Sequence, residues 1–336
     1  MLLPVNSPVG KYDVTIEKGA LNRAETLIPT NGKTLIVTDD GVPKEYAEKI
    51  AKNRPFSLTL RLPRGEKTKN LDSLKLILSK MVEASFTRKD RVVAVGGGVM
   101  GDLAGFAAAV YMRGVDFYNV PTTFLSMVDS SIGGKTAVDF CGVKNAVGAF
   151  WQPKGVIIST ETLATLPARE LSAGIAESIK EAVCFDKELF DLIDDKENFD
   201  LNAETIIEKS LKIKRRVVEE DPTEKGLRAV LNFGHTIGHA IESAKNGLLL
   251  HGECVAIGMI PFSSPAVKAK LIPLLKKYDL PTETDVPETE IASLISHDKK
   301  SGFGGTVKAV FSDEIGSFYF KNVTVDDIIS LYGGCV

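Results

Sequence analysis

Three of the four histidines in this chain, His235, His239 and His251, lie within seventeen residues of one another. His235 and His239 are four residues apart in a predicted helix, so they share one face at a spacing that suits a common metal ion. Residues 235–239 resemble the H-E-x-x-H motif of zinc proteases but lack its glutamate. A zinc-protease mechanism would therefore have no general base. An isolated pair is slightly better explained as packed or exposed histidines. His251 changes this balance, because it follows a predicted loop and could fold back towards the pair.

Glu177 is the acidic residue best suited to join these histidines, because divalent ions in proteins commonly take a carboxylate ligand. It lies in residues 174–180, a run that is otherwise apolar or small apart from Lys180. A carboxylate buried on such a helix is costly unless it is paired or metal-bound. Lys180 lies one turn later on the same face, and a surface ion pair worth about 0.2–0.5 kcal/mol explains this spacing equally well.

A second candidate site is a glycine-rich turn, in which Gly96, Gly98 and Gly101 have G-x-G-x-x-G spacing between a β-branched run and an alanine-rich helical pattern. Such a turn lets a phosphate approach bare amides at a helix N-terminus. The motif alone is weak, since many strand-to-helix turns share it. A standard dinucleotide fold has an acidic residue about 20 residues further on, at the end of the second strand. Asp116 has nearly this spacing but precedes the next apolar run, so the chain could bind a dinucleotide without a standard Rossmann unit. Asp102 is also explained as a first-turn acid that stabilises its own helix.

Residues 121–136 form a third polar cluster, which combines small hydroxyl side chains, Asp129, a Gly-Gly pair and Lys135. It follows a predicted strand end, where open α/β sheets bind ligands, and its side chains suit phosphate and ribose contacts. The segment ends like a P-loop but lacks that motif's first glycine, so we do not expect ATP or GTP hydrolysis.

The elements that position these residues fall into two predicted domains. Residues 1–165 alternate strands and helices, which indicates a Rossmann-like α/β domain with a mostly parallel sheet. Residues 166–336 are predicted to be mainly α-helical, with a boundary near residues 160–167. The predicted strands cover residues 34–38, 58–62, 117–120, 156–158 and 307–311, with a further strand that begins at Val92. The predicted helices cover residues 43–52, 71–84, 167–185, 203–220 and about 227–244, with a further helix that follows the glycine turn and reaches about Met112.

Composition excludes several function classes. The chain has 336 residues, 44% of them hydrophobic and 25% charged, with a net charge of −3. No basic surface for nucleic acid is expected, and no apolar run reaches transmembrane length. The start of the chain lacks the pattern of a signal peptide. Four widely spaced cysteines without a C-x-x-C pair predict reduced thiols in a cytoplasmic protein.

Taken together, these residues resemble the 3-dehydroquinate synthase family, whose members make the first carbocycle of the shikimate pathway. The resemblance runs in the family's order from about residue 34 to residue 260 and is far more specific than any single motif. The matching runs are residues 96–106, 111–114, 121–137, 144–145, 165–167, 176–180, 232–242 and 251–253.

The resemblance implies NAD as a recycled cofactor and one divalent metal ion, zinc or cobalt. It also implies an active site in the cleft between the two domains and a homodimer. The implied metal ligands are Glu177, His235 and His251. The implied nucleotide-binding residues are Asp39, Glu66, Lys69, Gly97, Gly98, Val99, Asp102, Thr122, Thr123, Asp129, Ser130, Lys135, Lys144 and Thr165.

The substrate implied by the resemblance is an anionic sugar phosphate, 3-deoxy-D-arabino-heptulosonate 7-phosphate. Its implied site consists of Asp129, Lys135, Asn145, Lys180, Lys214, Glu224, Arg228, Asn232, His239 and Lys299. Arg113 would complete a phosphate site across the dimer interface. Without the family, Lys214 is explained as part of a solvated charged face, and Glu224 with Arg228 as an ordinary i,i+4 pair.

Two departures from the family pattern stand out. Pro261 and Pro265 interrupt a region where relatives continue a long helix, so we expect a rearranged segment at residues 261–281 with the metal site upstream intact. Gly41 replaces a polar side chain that touches the adenosine in many relatives. Three rival functions remain open: another sugar-phosphate cyclase, a metal-dependent polyol dehydrogenase, and a catalytically silent metal- or nucleotide-binding protein.

Overall fold

The computed structural model describes residues 1–7, 10–221, 226–298 and 306–334. Within it the chain folds as two compact units, Met1–Leu166 and Pro167–Val336, which are described in turn. No helix among the described residues is long and apolar enough to cross a bilayer.

The first unit is built on a seven-stranded sheet in the order β1-β2-β9-β6-β5-β3-β4. All neighbours are parallel except β1 and β2, which form an antiparallel pair at one edge. The mostly parallel sheet predicted from the sequence is therefore confirmed. Its strands are β1 (Leu2–Ser7), β2 (Gly10–Ile16), β3 (Lys33–Asp39), β4 (Phe56–Leu62), β5 (Arg91–Gly96), β6 (Asp116–Pro121) and β9 (Gly155–Ile158).

Helices cover this sheet because its central strands are buried throughout. Alternate residues of a strand face opposite sides, and in β5 Val92 and Ala94 join one apolar cluster whereas Val93 and Val95 join another. Two apolar faces require two helical layers. The helices of this unit are α1 (Ala24–Leu27), α2 (Lys44–Ala51), α3 (Leu71–Glu83) and α4 (Gly98–Val110), with short 3₁₀ turns at Ala20–Arg23, Glu66–Thr68, Tyr111–Arg113 and Thr160–Thr165 and a π turn at Ser126–Ser130.

A separate antiparallel hairpin, β7 (Lys135–Phe140) with β8 (Val143–Phe150), was not predicted. It packs on α4, where a Cβ at Gly105 would lie 2.5 Å from Cγ2 of Thr136. The edge pair β1–β2 was also missed. Neither hairpin carries the continuous apolar run by which buried parallel strands are found in a sequence.

The second unit is mainly helical, as predicted, with one small antiparallel sheet, β10 (Thr306–Phe311) with β11 (Tyr319–Thr324). Its helices are α5 (Ala168–Phe185), α6 (Lys187–Asp194), α7 (Phe199–Glu220), α8 (His235–Lys245), α9 (His251–Met259), α10 (Pro265–Lys277), α11 (Glu288–Asp298) and α12 (Val325–Gly333).

Two predicted helices differ in the structure. The predicted helix over residues 227–244 is a 3₁₀ helix, Leu227–Asn232, followed by α8, because Gly234 takes a left-handed φ of 77° between them. The helix predicted to reach Met112 ends at Val110, since Met112 has a φ of 49°.

The expected break at Pro261 is present. Helix α9 ends at Met259, and the Ser264 hydroxyl then accepts the amide N–H of Val267 at the start of α10. Pro273 is accommodated within α10.

Candidate functional site

The glycine turn joins β5 to α4. The strand ends at Gly96, and Gly97 caps α4 without a side-chain hydrogen bond, so the first amides of α4 remain available to an anion. A Cβ added to Gly97 would lie 3.1 Å from Thr123 Cγ2, and a Cβ added to Gly98 would lie 3.1 Å from Ser130 Oγ. Glycine thus keeps these amides accessible beside two residues of the predicted nucleotide site.

Lys69 links two further members of the predicted nucleotide site, Asp102 and Glu66, with Asn145 of the predicted substrate site. Its Nζ lies 2.6 Å from Asp102 Oδ2, 2.5 Å from Asn145 Oδ1 and 3.9 Å from Glu66 Oε1, and its side chain is only 6% exposed. A buried ammonium needs such partners. The contacts tie α4 to the β7–β8 hairpin and bring together residues that are far apart in the sequence.

The remaining residues of the predicted nucleotide site are distributed around the same unit. Asp39 ends β3, where burial raises the pKa of its carboxyl above 3.8 although Gly41 donates to it at 2.8 Å. The Thr122 amide donates to the Gly96 carbonyl at 2.9 Å. The Thr165 hydroxyl lies 2.9 Å from the Tyr46 hydroxyl, within hydrogen-bond distance. Val99 lies in the first turn of α4, Asp129 in the π turn, and Lys135 and Lys144 on β7 and β8.

In the second unit, Glu177 is buried in the middle of α5, and its carboxylate faces two of the three clustered histidines. Its Oε1 lies 3.8 Å from His235 Nε2 and 3.6 Å from His251 Nε2. Its Oε2 accepts a hydrogen bond from Lys180 Nζ at 2.5 Å, and both side chains are 3% exposed. The alternative of a surface ion pair is therefore wrong, because the pair lies inside the unit.

The three clustered histidines converge in the same place. The rings of His235 and His251 are 5.2 Å apart, and one ligand atom from each of His235, His239 and His251 falls within a 4.8 Å group. The expectation that His251 folds back towards the other two is confirmed. His239 belongs to the cluster by distance, so the structure brings together one histidine more than the three-ligand set implied by the resemblance.

The surroundings shift the pKa values of His235 and His251 in opposite directions. Burial lowers the pKa of His235 to about 3, and the nearby Lys180 ammonium acts in the same direction, so this imidazole is neutral at physiological pH. For His251, burial alone would lower the pKa, but Glu242 and Glu177 outweigh it and hold the pKa above 6.5. Neutral imidazoles with one carboxylate form a nitrogen–oxygen donor set that fits zinc or cobalt.

Close packing between helices makes this convergence possible. A Cβ at Gly252 in α9 would overlap the carbonyl oxygen of Ala173 in α5. A Cβ at Gly258 in α9 would overlap the carbonyl oxygen of Gly234, and one at Gly238 in α8 would lie 3.1 Å from the carbonyl oxygen of Cys254. Glycine at these positions lets α9 approach both α5 and α8, which carry the other predicted ligands.

The predicted substrate residues of this unit have mixed outcomes. Lys214 on α7 and Arg228 in the Leu227–Asn232 turn are buried, at 6% and 4% exposure, so the solvated charged face expected for Lys214 is wrong. Asn232 is exposed at the end of that turn. Glu224 and Lys299 lie outside the described residues, so their predicted roles and the i,i+4 pair with Arg228 remain predictions.

Sequence reasoning missed three supporting residues. Asp221 Oδ2 accepts the amides of Gly226 at 2.7 Å and Arg228 at 3.0 Å. Arg169 forms two 2.7 Å bonds to Glu253, which also accepts the Leu250 amide just before His251. In the sequence, Glu253 is marked only by its place in the run of residues 251–253 that matches the family. Nothing in the sequence pairs Arg169 with it, because 84 residues separate the two.

Comparison with known proteins identifies the family. Residues 59–173 match the model of the 3-dehydroquinate synthase N-terminal domain, and residues 174–301 match that of the C-terminal domain. The chain is 43% identical to 3-dehydroquinate synthase of Enterococcus faecalis, over 98% of this chain and 97% of that one. It is 40% identical to the enzyme of the same name from Streptococcus sanguinis, over 98% of both chains. The chain therefore belongs to the 3-dehydroquinate synthase family.

Solved structures of related cyclases share the fold. A 2-deoxy-scyllo-inosose synthase complexed with carbaglucose-6-phosphate, NAD⁺ and Co²⁺ has a TM-score of 0.89 at 26% identity, with full coverage of both chains. A 2-epi-5-epi-valiolone synthase from Streptomyces hygroscopicus with NAD⁺ and Zn²⁺ bound has a TM-score of 0.87 at 26% identity, over 96% of both chains. A probable glycerol dehydrogenase from Sinorhizobium meliloti, at 15% identity and TM-score 0.63 over 100% of this chain and 98% of that one, shares the fold alone.

Replacing Gly258 by alanine tests whether the α8–α9 approach holds the histidines in place. The added methyl cannot fit against the Gly234 carbonyl, and we expect a loss of about 1–3 kcal/mol in the free energy of unfolding. Zinc affinity should fall as well. Chemical denaturation and a calorimetric zinc titration measure the two effects.

The matched control is Gly333→Ala in α12, where the methyl would meet only the flexible end of the Glu288 side chain. Its stability should stay within about 1 kcal/mol of wild type. Equal stability and equal zinc affinity for the two variants would show that the close approach does not position the site.

Proposed function

We propose that this enzyme converts 3-deoxy-D-arabino-heptulosonate 7-phosphate to 3-dehydroquinate and phosphate, with NAD and one zinc or cobalt ion. The observation that carries the proposal is the convergence of the Glu177 carboxylate with His235 and His251 inside a unit that matches the 3-dehydroquinate synthase C-terminal model. Membership of the family supports the substrate and the reaction. We assign metal binding to the helical unit and nucleotide binding to the sheet unit.

The chain's own residues bind and orient the metal ion and the substrate. Glu177, His235 and His251 hold the metal ion, and Lys180 keeps the Glu177 carboxylate fixed through a 2.5 Å hydrogen bond. When bound, the metal ion would supply a Lewis acid that lowers the pKa of a substrate hydroxyl, and NAD⁺ would supply a hydride acceptor whose reduced form, NADH, returns the same hydride. His239, whose ring lies 5.1 Å from that of His235, exchanges a proton at its imidazole.

Cationic side chains recognise the two anionic groups of the substrate. Lys180 and Lys214 are both buried in the helical unit, where a charge interacts more strongly than in water. Arg228 joins them, buried in the turn that Asp221 anchors through its backbone. Lys135, Asn145 and Asp129, which the family resemblance also assigns to the substrate, belong to the sheet unit. Holding one flexible substrate through several steps is the main catalytic task of these residues.

The cysteine chemistry fits a cytoplasmic enzyme. Cys141, Cys184 and Cys254 form no disulfide among the described residues, which agrees with the reduced thiols predicted from the sequence, and Cys335 lies outside those residues. We infer from these thiols, together with the biosynthetic role of the family, that the enzyme works in a reducing compartment.

Product analysis tests the reaction. Purified protein with NAD⁺, zinc and heptulosonate phosphate should release phosphate and form 3-dehydroquinate, identified by mass and NMR, with no net NADH. His235→Ala should lower turnover more than about a hundredfold, because metal catalysis supplies several kcal/mol and each 1.36 kcal/mol is tenfold. Lys212→Ala, which removes only an ion pair with Glu208 on α7, should turn over like wild type.

Three outcomes would contradict the proposal. Turnover only of a sugar phosphate without a carboxylate would indicate a different cyclase. The two similar cyclase structures, which carry other names, are examples of this alternative. Accumulation of NADH would indicate a polyol dehydrogenase. Bound NAD⁺ and zinc with no turnover would indicate a silent binding protein.

We further propose that the enzyme is a homodimer joined through the β7–β8 hairpin and the neighbouring turn. Phe150, Val143 and Phe140 of the hairpin are 67%, 59% and 45% exposed, and Met112 in the turn is 45% exposed. Large apolar side chains exposed on one hairpin and on the neighbouring turn support an interface with a second copy of the chain. Arg113 follows Met112, with a left-handed φ of 68°, and we propose that it reaches the substrate phosphate bound by its partner.

Sedimentation measures the dimer. Phe150→Asp should raise the dimer dissociation constant at least about tenfold, a cost of 1.4 kcal/mol, because it places a charge in an apolar contact. Leu201→Asp on α7, a residue that is 82% exposed, should leave association unchanged. A wild-type monomer, or equal association of both variants, would overturn the proposed interface.

A further inference from the structure

Glu242 on α8 holds the ring of His251. Its Oε2 lies 3.0 Å from His251 Nδ1, and its side chain is 18% exposed. A carboxylate can only accept in this contact, so Nδ1 of His251 carries the proton and donates it. The other ring nitrogen, Nε2, is then the one with a free lone pair when the ring is neutral.

That free nitrogen faces the candidate metal site. His251 Nε2 lies 3.6 Å from Glu177 Oε1. His235 has the same arrangement, since its Nδ1 lies 3.1 Å from the carbonyl oxygen of Phe233 and its Nε2 lies 3.8 Å from the same Glu177 oxygen. Both rings therefore present Nε2 to one carboxylate, one fixed by a backbone carbonyl and the other by Glu242.

We propose that Glu242 is a positioning residue that fixes the Nδ1–H tautomer and the ring orientation of His251, and so prepares Nε2 to bind the metal ion. The inference rests on the metal site of the proposed function. Helix α8 would then carry His235 and His239 and also orient the third histidine, which begins α9.

The acidic residue closest in sequence to His251 is already engaged elsewhere. Glu253 receives two hydrogen bonds from Arg169 and one from the Leu250 amide. Through these bonds it anchors the start of α9. Removal of Glu242 would thus leave His251 in place on its helix but free to rotate its ring and to move its proton.

Loss of a carboxylate that holds a metal-binding histidine lowers metal affinity about 10–100-fold in known sites. We expect Glu242→Ala to weaken zinc binding by that factor, measured by competition with a chromophoric chelator. Glu242→Gln keeps an acceptor oxygen for Nδ1–H and should retain most of the affinity. Glu208→Ala on α7, which removes a glutamate that pairs with Lys212, is the control and should bind zinc like wild type.

The tautomer can be observed directly, without turnover. The chain has only four histidines, so ¹⁵N-histidine labelling gives a resolvable long-range ¹H–¹⁵N spectrum. In the metal-free wild type at alkaline pH, His251 should show the Nδ1–H pattern. In Glu242→Ala this pattern should give way to Nε2–H, and in Glu242→Gln it should persist.

Two results would overturn the inference: an Nε2–H tautomer of His251 in the wild type, or unchanged zinc affinity and tautomer in Glu242→Ala. Failure of the proposed function would look different. A wild-type protein that binds no zinc contradicts the metal site, whereas the His251 tautomer in its spectrum still decides what Glu242 does.

Discussion

The buried carboxylate of Glu177 is the constraint on which the helical unit depends. A carboxylate that is 3% exposed must be compensated, and here one oxygen accepts from Lys180 while the other faces two imidazoles. These partners come from three helices, α5, α8 and α9. They meet because glycines at positions 238, 252 and 258 let the helix backbones approach closely. The close approaches that pack these helices therefore also bring the residues of the candidate site together.

Much of the fold could be predicted from the sequence, because buried parallel strands and amphipathic helices leave strong patterns. Strand β5 and helix α5 were found close to their observed bounds. The hairpins β1–β2 and β7–β8 were missed, since their stability comes from pairing and from packing on α4, which local patterns do not record. The single predicted helix over residues 227–244 failed at Gly234, whose left-handed backbone ends one helix and begins the next.

The candidate site could be predicted in part. Spacing alone left a metal site and ordinary packing or ion pairing as alternatives for His235, His239 and Glu177, and the family resemblance then favoured the metal site. Their partners could not be found in this way: Arg169 and Glu253 are 84 residues apart, and Lys69 and Asn145 are 76 apart. Burial also reversed two simple interpretations, the solvated Lys214 and the surface pair of Glu177 with Lys180. The roles of the individual nucleotide and substrate residues remain predictions.

The most direct test of the metal site is a crystal structure of the protein grown with zinc, with the ion located by anomalous scattering at the zinc edge. We predict one zinc ion per chain, bound by an oxygen of Glu177 and by Nε2 of His235 and His251 at about 2.0–2.2 Å. A zinc ion bound elsewhere, or bound by the histidines without Glu177, would contradict the account.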